Sequence, residues 1–218
     1  MAMNIGLDTR RLLPPFMPVQ RNQDGIFGRL LHLCFNGSCR GYAPYAIKHD
    51  PPNRSDQVDH SHALSVGPLR VPDVLEALLQ PLYKWPFGMN SSSNLKVAGR
   101  YLYDISQLTR QAFMREVRKH CLDLTRLRIQ HLKRCLNQKW NAPKYWKKDV
   151  KQVIANFREL ALQENIGIPC DLPGNAEKRM VLFQELIRKF GQLLIYWPSI
   201  WETAKNYRRQ GRLEAMST

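Results

Sequence analysis

The residues best suited to chemistry lie together near the middle of the chain. Lys144-Tyr145-Trp146-Lys147-Lys148 interleaves two aromatic rings with three cations. Lysines of this kind engage phosphates, while Tyr145 or Trp146 could stack on an unpaired base. The same side chains suit an anionic membrane face, where Trp and Tyr sit at headgroup depth and Lys reaches lipid phosphate. They also suit a protein contact, or plain packing of Trp146 in a core. Immediately upstream lie further cations with helical spacing: Arg115, Arg118, Lys119, Arg126, Lys133 and Arg134. Tyr207-Arg208-Arg209, near the C-terminal end, repeats the pattern and its ambiguity.

Charge counting locates the anion-binding potential. The chain carries 33 Lys+Arg against 18 Asp+Glu, and residues 100–151 hold 14 of the basic and 4 of the acidic side chains. A surplus this local creates a positive potential that attracts phosphate backbones or anionic lipid. Catalytic patterns are absent: there is no P-loop, dinucleotide-binding glycine pattern, His-Glu-x-x-His helix or Gly-x-Ser-x-Gly elbow. The carboxylates are scattered, so no acid–base pair is expected, nor any cofactor. Cys34 and Cys39, with His32 beside them, resemble half of a zinc site whose second half is missing, and the His/Asp run from His49 to His62 reads as a linker. Five cysteines, an odd number spread over 218 residues, indicate reduced thiols rather than a disulfide framework. His120 and His131 are about 16 Å apart on one straight helix and cannot share a metal there.

The elements that must position these residues are helical. Ten of the fourteen prolines precede residue 100, so residues 1–70 read as an irregular arm with one short apolar stripe from Ile26 to Cys34. Met1 to Arg11 lacks the continuous apolar core of a secretory signal. Residues 71–94 read as a short helix, with Pro72 in its first turn, followed by a Gly88–Asn94 linker. Residues 95–218 read as a basic helical domain. From Arg100 to Asn141 there is no Gly or Pro, so one long amphipathic helix is expected, with any break near Asp123. A second helix is expected from about Lys144 to Glu164. A third, capped by Asn175, should be kinked or ended by Pro198, and a last one should follow from Trp201. Strand signals are nearly absent. The expected fold is all-α: an antiparallel bundle of three or four helices, one of them long and basic, with a proline-rich N-terminal arm. The longest apolar stretch, 191–201, is too short to span a bilayer.

Two further short patterns bear on function. Leu124-Thr125-Arg126 lies upstream of Asn156-Phe157-Arg158, and Leu132-Lys133-Arg134 offers a second alignment. Residues 122–197 in this respect resemble the LYR-motif proteins of mitochondria, although the tyrosine is missing from both triplets. That resemblance implies a three-helix fold, service in a respiratory complex or in mitoribosome assembly, and binding of an acyl carrier protein. Arg126 or Arg134, beside Leu124, would then meet the carrier, with Phe157 near the acyl chain. The expectation is a non-catalytic structural subunit of a large mitochondrial assembly, in the matrix or on the matrix face of the inner membrane. A mitoribosomal protein contacting rRNA and neighbouring proteins comes first. An accessory subunit of a respiratory-chain or ATP synthase complex, touching acyl carrier protein and anionic lipid, comes second.

Overall fold

The computed structural model describes residues 7, 10–19, 23–35, 64, 66–85, 88, 90–138 and 141–211. It is all-α, with no strand among the described residues. Among the described residues six helices are formed: α1 (Gln23–Cys34), α2 (Val71–Leu79, continued by a 3-10 turn Gln80–Lys84), α3 (Ser91–Ser106), α4 (Arg110–Asn137), α5 (Trp146–Leu162) and α6 (Ala176–Arg209). None is long and apolar enough to cross a membrane.

The expected 42-residue helix forms as two. It starts early because Asn90 accepts a hydrogen bond from the Ser93 amide at 3.0 Å, turning Ser91–Asn94, expected as linker, into the first turn of α3. It breaks at 107–109 rather than near Asp123. Thr109 caps α4 by accepting from the Ala112 amide, and the Ser106 hydroxyl donates to the Tyr103 carbonyl. From α6, the Gln184 amide donates to the carbonyls of Ser106 at 2.9 Å and Leu108 at 2.8 Å. The carbonyls freed by the break thus find a partner 76 and more residues away, which no local pattern announces.

Pro198 neither ends α6 nor separates a further helix. It is buried, and the helix continues to Arg209. The N-terminal segment lies alongside this stretch: Trp197 donates to the Leu13 carbonyl at 2.6 Å, and Lys205 to the Arg10 carbonyl at 3.3 Å. Met17 is buried, and the Phe16 and Phe27 rings stack 4.2 Å apart. The described part of the proline-rich arm is therefore held by the chain itself.

A single apolar cluster takes in Met17, Leu30 and Leu33 from the N-terminal region, Leu75 and Leu78 from α2, Leu95 and Leu102 from α3, Phe113 and Val117 from α4, and Phe183, Ile187 and Phe190 from α6. At its centre α3 and α6 run antiparallel, and Gly99 meets Gly191. A Cβ on Gly99 would lie 2.7 Å from the Gly191 carbonyl oxygen, and one on Gly191 would lie 2.8 Å from that of Gly99. Neither glycine has room for a methyl group, because the neighbouring atoms are backbone. A second tie joins three helices. Glu76 of α2 pairs with Arg29 of α1 and, at 3.0 Å, with Arg128 of α4.

The same substitution is expected to have opposite signs at two glycines. Gly99→Ala forces the crossing apart and should cost about 1–3 kcal/mol in urea unfolding. Gly28→Ala, in α1 with nothing within 4 Å of its Cβ position, should gain roughly 0.5–1 kcal/mol from helix propensity. Equal effects at the two sites would contradict the crossing.

Candidate nucleic-acid interface

The depth of α4 changes along its length. Phe113, Val117, Cys121, Leu124 and Thr125 are its buried residues; after Thr125 the helix carries only half-buried and exposed side chains. The outer half lies beside α5, which returns antiparallel to it. Arg118 donates to the Gln163 carbonyl at 3.2 Å and to the Glu164 carbonyl, and Arg128 lies over the Phe157 ring at 5.9 Å. Val150 and Ile154 supply the buried side of α5. The end of α4 and the beginning of α5 thus share one end of the pair, and the Tyr145 carbonyl accepts from the Lys148 and Asp149 amides to start the second helix there.

This end concentrates charge. Residues 126–151 hold nine basic side chains and one acidic, Asp149. Lys133, Arg134, Lys144, Lys147, Lys148 and Lys151 are exposed, and none of them has a carboxylate partner among the described residues. Like charges crowded on a solvated surface repel one another, and salt or an anionic partner relieves that repulsion. Tyr145 stands among them, 66% exposed, while Trp146 is half-buried.

The other candidates from the sequence divide by their contacts. Arg126 is exposed but pairs with Asp123 at 2.9 Å. Lys119 sits 3.7 Å from Glu116, and Arg118 is occupied in holding the loop after α5. Arg115 is exposed, yet it lies about 28 Å along α4 from Arg134. Arg115 and Arg118 border a cavity of 240 Å³ whose apolar wall includes Met114, Ile166, Ile168 and Met180. Arg208 and Arg209 are exposed in the last turn of α6, about 46 Å along that helix from Glu177, which pairs with Arg110 at the foot of α4. Of the residues in the LYR-like triplets, Leu124 is buried and Arg134 exposed. The arginine that faces Phe157 is Arg128, which the sequence reading did not single out. Glu76, an acid among Val74, Leu75, Ala77, Leu78 and Leu79 on the largely buried helix Val71–Leu79, was the signal that a cation partner should exist.

The remaining titratable groups are structural. His120 is half-buried between the Tyr101 hydroxyl at 3.4 Å and Glu116 at 3.7 Å, and burial lowers its pKa. Burial pushes the thiols of Cys34 and Cys121 up to about 12. Cys135 and Cys170 are half-buried, the first 3.6 Å from His131 and the second donating to the Pro68 carbonyl. Cys39 and the His49–His62 run lie outside the described residues, among which no three His, Cys, Asp or Glu side chains come together as a metal site.

Thiol labelling follows from this division. In the folded protein at neutral pH, iodoacetamide should modify Cys135 and Cys170, and reach Cys34 and Cys121 only after denaturant is added. Peptide mass mapping reads the result; native labelling of Cys121 at the rate of Cys135 would contradict its place in the core.

No protein-family model matches the chain, and neither a curated protein nor a solved structure matches it. The likeness to LYR-motif proteins therefore rests on the quoted residues alone.

Proposed function

We propose that this chain is a non-catalytic structural subunit of a large ribonucleoprotein, bound to RNA through the shared end of α4 and α5. The observation that carries the reading is the division of the cations by partner. Arg118 and Arg128 are taken up by groups of the chain itself, whereas the six exposed cations at the tip have no carboxylate partner among the described residues. Nine basic side chains against one acidic over 26 residues match a polyanion, and RNA supplies regularly spaced phosphates together with bases for an exposed aromatic ring. A helical bundle with α4 as its basic member, steadied by the N-terminal segment, suits a subunit wedged between RNA and neighbouring proteins. The mitochondrial ribosome is the assembly we assign; the free cysteines fit its reducing compartment. The alternative, a respiratory-chain or ATP synthase accessory subunit holding acyl carrier protein, has less support: Arg126 is turned to Asp123, and Phe157 to Arg128.

Fluorescence anisotropy with a labelled RNA over a salt titration tests the reading. Lys133→Glu, Arg134→Glu, Lys147→Glu and Lys148→Glu together should weaken binding by about 100-fold or more at low salt. They should also flatten the slope of log K against log salt by roughly 3, at about 0.7 per lost phosphate contact. A control with equal net charge, reversing Lys96, Arg100, Lys178 and Lys189, all exposed elsewhere, should retain most of the affinity and slope. Equal loss in both would mean that net charge alone attracts the RNA and would contradict a site at the tip.

A further inference from the structure

We infer that the tip recognises RNA carrying an unpaired nucleotide, a bulge or a loop base beside a duplex, with Tyr145 as the stacking platform and Lys148 as the phosphate contact for that nucleotide. This rests on the RNA reading above and narrows it to a class of RNA structure and a pair of residues.

Of the two described aromatic residues in the stretch 126–151, Trp146 is half-buried and engaged by the chain itself. Tyr145 is 66% exposed. Its backbone is fixed even though its ring is solvated. The residue has helical dihedrals at the N-cap of α5, and its carbonyl accepts from the Lys148 amide at 3.0 Å and the Asp149 amide at 3.1 Å. The turn thus formed makes Tyr145 and Lys148 neighbours three residues apart, with Cβ atoms about 5–6 Å from each other. That is comparable to the span between a base and its own phosphate, so one nucleotide can place its base on the ring and its phosphate on the ammonium. Lys144 precedes the ring and Lys147 follows it, both exposed, which leaves cations for the flanking phosphates. The one carboxylate nearby, Asp149, is half-buried in the first turn of α5.

An uninterrupted duplex has no use for this ring. Its bases are stacked on one another, and its phosphates alone would meet the lysines, leaving Tyr145 in water. Other exposed aromatic residues do not share the full setting: Trp85 and Tyr196 lie outside the cationic stretch, Phe16 stacks on Phe27, and Tyr207, 42% exposed beside Arg208 and Arg209, has Gln210 rather than a cation three residues on.

The test compares three RNAs by anisotropy with the full chain: a blunt duplex, the same duplex with one central bulged adenosine, and a single strand. The wild-type protein should prefer the bulged duplex to the blunt one by roughly tenfold or more, the usual effect of one base–aromatic stack. Tyr145→Ala should erase that preference while leaving the blunt-duplex affinity and its salt slope unchanged, and Tyr145→Phe should keep it. With 2-aminopurine as the bulged base, emission should be quenched on binding by wild type and not by Tyr145→Ala. Equal affinity for bulged and blunt duplexes, with Tyr145→Ala neutral, would overturn this inference and leave the RNA reading standing. Failure to bind any of the three RNAs would overturn both. Sedimentation with phosphatidylserine vesicles that is lost in Tyr145→Ala, in the absence of any bulge preference, would assign the ring to a membrane surface instead and overturn the inference.

Discussion

The contact between Gly99 and Gly191 sets the rest of the molecule. Two helices whose backbones meet carbonyl to Cβ position, at under 3 Å, can approach only where both lack a side chain. Each glycine carries a helix-propensity cost of the order of 1 kcal/mol, which the burial of Leu95, Leu102, Ile187 and Leu194 on either side offsets. With α3 and α6 locked at this distance, Gln184 is held against the carbonyls of Ser106 and Leu108, and the chain turns there. The direction of α4 follows from that turn. Its first half joins the core and its second half emerges beside α5.

The resulting geometry sorts identical side chains into different work. Arg118 closes the loop after α5, and Arg128 completes the bridge from Glu76 to the Phe157 ring. Their head groups are taken up by partners within the chain. A few residues further on, Lys133 and Arg134 have no carboxylate partner among the described residues, nor have Lys144, Lys147 and Lys148. Crowded like charges oppose the compact state by self-repulsion, and the tip is where this chain collects them.

Much of the helical content was legible because its signals are local. The apolar stripe from Ile26 to Cys34, Pro72 at the first turn of α2, Pro143 before α5 and Asn175 before α6 each specify an element through neighbours in sequence. The break at 107–109 was not legible, since no glycine or proline marks it and its stabilising donor comes from α6. Asn90 looked like linker because Gly88 and three serines surround it, yet an Asn followed by Ser is also a helix cap. Pro198 reads as a terminator, yet α6 runs through it with the proline buried, where Trp197 and Lys205 meet the Leu13 and Arg10 carbonyls. For the site, counting located the charge. Which arginines are exposed and which are consumed depends on partners distant in sequence, such as Glu76 and the carbonyls of 163–164.

If the exposed tip of α4 and α5 holds this protein on RNA, as proposed, native purification of the tagged full chain should yield a fast-sedimenting particle that ribonuclease collapses. The variant reversed at Lys133, Arg134, Lys147 and Lys148 should fail to enter that particle. A particle that survives ribonuclease and carries membrane subunits or an acyl carrier protein would contradict the proposal.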